Sequence, residues 1–224
     1  MLMRVAGQKS RAFAILAGFG LIFSLALPAV EAQAKPKKKG KRAHAAQAYT
    51  PPFAALVVDA NTNKILYAKN ENDLRHPASV TKVMTLYMLF EQLERGKMTL
   101  DTPIRVSRHA ASMKPSKLYL SPGDEISAED AIKALVTRSA NDVAAAIAEH
   151  IGGTESRFAE MMTAKARSIG MTRTVYANAS GLPDKRQVTT ARDLVLLGRA
   201  IQERFPKYYT YFATSNFRYA GQSI

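Results

Sequence analysis

The stretch His76-Pro77-Ala78-Ser79-Val80-Thr81-Lys82, running on through Val83, Met84, Leu86, Tyr87, Met88, Leu89, Phe90 and Leu93 to Arg95, decides how the chain is read. Pro77 ends an extended segment. Ser79 then stands at the first turn of a helix so apolar in its middle that protein must cover every face of it. An unpaired ammonium is costly in such surroundings, so Lys82 must find a partner or lose its proton. Three residues after Ser79, it lies on the same helix face. A lysine with a lowered pKa can accept the proton of the Ser79 hydroxyl and free its oxygen for nucleophilic acyl transfer. The ordinary alternative is a helix-capping serine beside a lysine whose amine reaches water. Alone, Ser-x-x-Lys carries little information, because a chain of this composition holds about one by chance.

On the N-terminal side, the apolar run Phe53–Ala60, then Asn61-Thr62-Asn63, then Lys64-Ile65-Leu66-Tyr67-Ala68 reads as strand, turn, strand. On the C-terminal side, Ser121-Pro122-Gly123-Asp124 is a turn, and Ser127 with Asp130 starts a helix that runs through Val136. Further helices are expected from Asn141 to Ile151, stopped at Gly152-Gly153, and from Thr154 to Ile169, stopped at Gly170. Another starts at Thr190 with Asp193 and ends before Pro206. Tyr208 to Tyr219 carries side chains of strand type. The order predicts an α/β protein whose sheet pairs the N-terminal hairpin with C-terminal strands.

Ser139-Ala140-Asn141 falls between two of these helices, where a loop can project into a cleft. Its ordinary alternative is again a helix cap. The four histidines, His44, His76, His109 and His150, share no helix face, so no metal site is expected. No Gly-x-Ser-x-Gly elbow and no phosphate loop occur, which weakens the hydrolase-triad and nucleotide readings.

The 224 residues contain 32 Lys and Arg against 18 Asp and Glu, and no Cys, which excludes a cysteine nucleophile, a zinc-thiolate site and a disulfide scaffold. Much of the basic excess sits in Lys35-Pro36-Lys37-Lys38-Lys39-Gly40-Lys41-Arg42. That octet reads as a solvated linker rather than a nucleic-acid grip, though its charge allows peripheral contact with an anionic membrane. Ahead of it, Arg4, Lys9 and Arg11 precede the apolar run Phe13–Leu27, Pro28, and Ala32-Gln33-Ala34, the order of a secretory signal cleaved after Ala34. The expected organisation is a signal peptide over 1–34, a basic linker over 35–48 and a catalytic domain over 49–224, working in the periplasm or as a secreted protein.

From about Phe53 onward the sequence resembles the penicillin-binding, serine-type D-alanyl-D-alanine carboxypeptidases of low molecular mass. The resemblance rests on Ala54-Ala55-Leu56-Val57-Val58-Asp59-Ala60, His76 to Lys82, Ser139-Ala140-Asn141-Asp142, Asn178-Ala179-Ser180-Gly181-Leu182-Pro183 and Thr190-Ala191-Arg192-Asp193-Leu194, in that order. It implies a β-lactamase/transpeptidase-like fold, an antiparallel sheet flanked by helices with a helical subdomain. It also implies that Ser79 attacks the carbonyl of a terminal D-Ala-D-Ala in the peptidoglycan pentapeptide. Lys82 would then be the acylation base, Ser139 a proton relay to the leaving amine, and Asn141 a hydrogen-bond donor to the peptide. The backbone N–H of Ser79, at a helix start, would supply half of an oxyanion hole. β-Lactam antibiotics would act as covalent inhibitors, and no cofactor is implied.

The family's third motif, Lys-Thr-Gly on a strand across the cleft, does not occur in these 224 residues. By resemblance, Phe217–Ile224 matches the segment before that strand, so the C-terminal strands are expected to be missing. A fragmentary gene record, a truncated product or completion by another chain would each account for this, and the intact active-site letters favour the first. The competing functional reading is an inactive fragment that binds or regulates the cell wall. A β-lactamase is a sibling reading for which no deacylation base can be named.

Overall fold

A computed structural model describes residues 51–224, so the expected signal segment and basic linker, 1–34 and 35–48, lie outside the described residues. The hairpin forms as the sequence predicts. Strands β1 (Ala55–Val58) and β2 (Ile65–Lys69) pair antiparallel, with Leu56 opposite Ala68. The turn between them is closed by the Asp59 carboxylate, whose Oδ1 accepts from Asn61 N, Thr62 N and the Thr62 hydroxyl.

Helix α1 (Thr81–Glu94) is the centre of the molecule. Eleven of its fourteen residues are buried, which is why its composition is apolar all round. It is packed by α3 (Ala128–Arg138), α4 (Asn141–Gly152), α5 (Glu155–Ser168) and α6 (Ala191–Arg204). The first eight residues of α4, Asn141 to Ala148, are all buried, and four of them are alanines that admit close neighbours. Where α4 ends, a Cβ on Gly152 would meet Phe158 Cβ at 2.8 Å, so glycine lets α5 fold back directly. Ser127 and Thr190 cap α3 and α6 by accepting the Asp130 and Asp193 amides, as their spacing predicts. Thr154 does the same for α5.

Two small features escape the sequence pattern: a ribbon of β3 (Pro103–Arg105) with β4 (Glu125–Ser127), and the single-turn helix α2 (Arg108–Ala111). The expected strand over Tyr208–Tyr219 is mostly absent. Pro206 opens the short helix α7 (Pro206–Tyr209), a 3-10 turn follows, and only Arg218–Tyr219 (β5) is extended, pairing with Gln222–Ser223 (β6). The reason is packing: Tyr208 stacks on Phe90 with centroids 5.2 Å apart, and Phe205 meets Tyr87 edge-on at 5.0 Å, so the aromatic residues plug the core from a helical turn. Among the described residues the three ribbons do not join, so the expected pairing of hairpin with C-terminal strands is not formed there. Among the described residues, too, no helix is long and apolar enough to cross a membrane.

Candidate active site

The chain enters α1 through a 3-10 turn, Ala78–Val80, which places Ser79 just ahead of the helical hydrogen-bond pattern with its side chain exposed. Ala78 stands at φ 46°, a conformation that costs a residue bearing a Cβ about 1–2 kcal/mol. The turn is held from outside by the loop Asn178–Leu182. Gly181, at φ 87°, lies so close to the Ala78 peptide that a Cβ there would sit 1.8 Å from Ala78 O and 3.0 Å from Ser79 N. The loop braces itself: Asn178 Oδ1 accepts from Gly181 N at 2.7 Å, and Asn178 Nδ2 donates to Leu182 O at 2.9 Å.

Lys82 is 3% exposed. Its Nζ donates to Asn141 Oδ1 and to the backbone carbonyl of Ser180, each at 2.6 Å, and among the described residues it makes no hydrogen bond to Ser79 Oγ. Burial pushes its pKa down to about 8 from the ordinary 10.5. Two of its N–H bonds are thus engaged in either protonation state, and loss of the third proton leaves a lone pair on Nζ.

Asn141 opens α4 and is fixed at both ends of its amide. Its Nδ2 donates to Lys114 O at 2.8 Å, its backbone N–H to Ser116 O at 2.8 Å, and its Oδ1 faces Lys82. The next residue, Asp142, is fully buried and accepts Leu118 N at 3.1 Å and Leu120 N at 3.3 Å, which pins the 114–120 loop to the same helix start. Ser139 ends α3 in the left-handed conformation, φ 55° and ψ 40°, half-buried and two residues from Asn141.

These positions overturn the ordinary alternatives for both motifs. None of the three starts uses a side-chain cap: the residues before the 3-10 turn, α1 and α4 are Pro77, Val80 and Ala140. Lys82 does not reach bulk water. A cleft of about 500 Å³, lined by His76, Ala78, Gly181, Leu182, Pro183 and Asp184, opens against the Ala78–Gly181 contact, and Ser79, Lys82, Ser139 and Asn141 do not line it. The structure brings Lys82 and Asn141 into contact and adds Ser180, to which sequence reasoning gave no role. Its contribution is a backbone carbonyl, which no side-chain letter announces; the Ser180-Gly181 turn was the one available signal.

A family model described as D-alanyl-D-alanine carboxypeptidase, peptidase S11, matches residues 39–224. The D-alanyl-D-alanine carboxypeptidase DacF of Bacillus subtilis is 32% identical over 182 residues, 81% of this chain and 45% of that protein. The crystal structure of the carboxypeptidase DacD from Francisella tularensis superposes with a TM-score of 0.74 at 34% identity, over 84% of this chain and 46% of that one. Penicillin-binding protein D2 of Listeria monocytogenes, solved in an ampicillin-bound form, gives a TM-score of 0.68 at 26% identity, over 76% and 70% of the two chains. The chain therefore belongs to the D-alanyl-D-alanine carboxypeptidase family, peptidase S11, and has the fold of the penicillin-binding proteins. It spans about half the length of the curated relatives it matches.

Proposed function

We propose that this chain carries the acyl-transfer machinery of a serine-type D-alanyl-D-alanine carboxypeptidase. The observation that carries the reading is the setting of Lys82: an amine removed from water, held by two acceptors and easier to deprotonate than an ordinary lysine, one turn from an exposed serine. In the forward step Ser79 Oγ bonds to the carbonyl carbon of the terminal D-Ala-D-Ala peptide bond while its proton passes to Lys82 Nζ. The C–N bond then breaks, the leaving amine takes a proton through Ser139, and D-alanine departs. Water attacks the resulting ester and restores the Ser79 hydroxyl.

The Ser79 N–H, which makes no hydrogen bond among the described residues, is assigned as one oxyanion donor. Asn141 holds Lys82 through its oxygen and keeps the second hydrogen of its amide for the bound peptide. A cation for the substrate carboxylate and a second oxyanion donor belong, by family resemblance, to Lys-Thr-Gly, which these 224 residues do not contain. β-Lactams are assigned as covalent inhibitors because their strained amide meets the same serine. The export order at residues 1–34 supports work outside the cytoplasm, on peptidoglycan stem peptides.

Labelling with a fluorescent penicillin tests the proposal. Covalent label that is lost in Ser79→Ala and retained in Ser139→Ala at reduced rate is the expected result. Folded wild-type protein that takes up no label overturns it.

A further inference from the structure

Lys82 is held by a carbonyl on a loop, and something must hold that carbonyl in place. Glu155 opens α5 directly after its Thr154 cap, where the helix dipole favours a carboxylate. Its side chain is 12% exposed. Oε1 accepts the Ala179 N–H at 3.0 Å, and Oε2 lies 2.7 Å from His109 Nε2 on α2. On the other side of the same short segment, Ala179 O accepts the Thr85 hydroxyl at 2.7 Å and Ser180 O accepts Lys82 Nζ at 2.6 Å. Residues 179 and 180 thus hang between a carboxylate and two side chains of α1. Nothing in the acyl-transfer steps uses Glu155 directly.

We propose that Glu155 is a positioning residue for Lys82, acting through the Ala179–Ser180 backbone, with His109 fixing the carboxylate from behind. The inference rests on the acyl-transfer reading for its consequence in rate but not for its geometry. A charge-assisted bond to the Ala179 N–H is about twice as strong as a neutral one, and it anchors the 178–179 peptide, two units ahead of the one that carries Ser180 O. Without it the Ala179 N–H has no acceptor, the segment turns, Ser180 O leaves the amine and water reaches Lys82. A role confined to stability would lower the melting temperature and leave the titration of Lys82 where it is.

The experiment follows Lys82 by the ¹³Cε chemical shift as a function of pH, alongside the rate of acylation by a fluorescent penicillin. The variants are Glu155→Ala, Glu155→Gln and His109→Ala. In Glu155→Ala, acylation is expected to slow about tenfold, the scale set by a small misplacement of a catalytic group. The Lys82 titration should move up toward the ordinary lysine range. Glu155→Gln, whose amide oxygen still accepts the Ala179 N–H, should restore most of the rate. His109→Ala, at a half-exposed position, should fold and show the same shift in smaller measure.

Unchanged titration and rate in Glu155→Ala overturn the inference, as does a Gln variant as slow as the Ala variant. If Glu155→Ala fails to fold, an unmoved titration in His109→Ala overturns it instead. Wild-type protein that takes no label while its Lys82 titration shifts in Glu155→Ala refutes the acyl-transfer reading and supports the positioning link. Label without any shift does the reverse.

Discussion

Gly181 and Ala78 touch through backbone alone: the Gly181 α-carbon is so near the Ala78 carbonyl that a single methyl group would stand 1.8 Å from its oxygen. The contact joins the loop that holds Lys82 to the turn that presents Ser79. Gly181→Ala must therefore push the loop away and also force a Cβ into the left-handed region. Acylation by penicillin should fall at least about tenfold, and stability by about 2 kcal/mol, read by urea unfolding.

The buried amine makes both rate and stability depend on pH. Acylation should rise as Lys82 loses its proton and level off above about pH 8. For stability, both states hold the proton below about 8. Between about 8 and 10.5 the folded state has shed it while the unfolded chain keeps it, so unfolding takes up a proton and stability rises with pH through that window. Lys82→Met removes this slope. Against that variant, wild type should gain about 2 kcal/mol between pH 7.5 and 10 in matched urea titrations. A constant difference would show that the amine titrates normally.

Replacing Asn141 by aspartate puts a carboxylate where a neutral oxygen now faces the amine. The opposite charge favours the ammonium and raises its pKa, so the acylation profile should move alkaline by about one unit or more. At pH 7 the rate should drop accordingly. Asn141→Ala should also slow acylation, without the alkaline shift of its profile.

Asp142 contributes to architecture. Buried in the first turn of α4, it satisfies two amides of the 114–120 loop and its own neighbour Val143 N. Asp142→Ala leaves those donors without a partner and should cost about 2–3 kcal/mol in denaturant midpoints, with Asp142→Asn losing less.

Much of this was open to reading from the letters. The hairpin announced itself by a strand-turn-strand run, α1 by its unbroken apolar middle, α3 and α6 by Ser127 and Thr190 with an acidic residue three positions on. Lys82 was marked by the conflict between its charge and its surroundings. The aromatic tail misled, because Tyr and Phe favour strands in general while here Pro206 and the hole above Phe90 ask for a helical turn. Ser180 stayed hidden because a main-chain oxygen is the same in every residue, and Glu155 because its partner is an amide 24 residues away.

The two acceptors on Lys82 come from 59 and 98 positions further along the chain. A polypeptide that has built only its earlier helices thus has an ordinary wet lysine beside an ordinary serine. On the acyl-transfer reading, reactivity waits for Asn141 and Ser180 to dock on α1, so covalent capture of a β-lactam would report those distant contacts rather than the formation of helix α1.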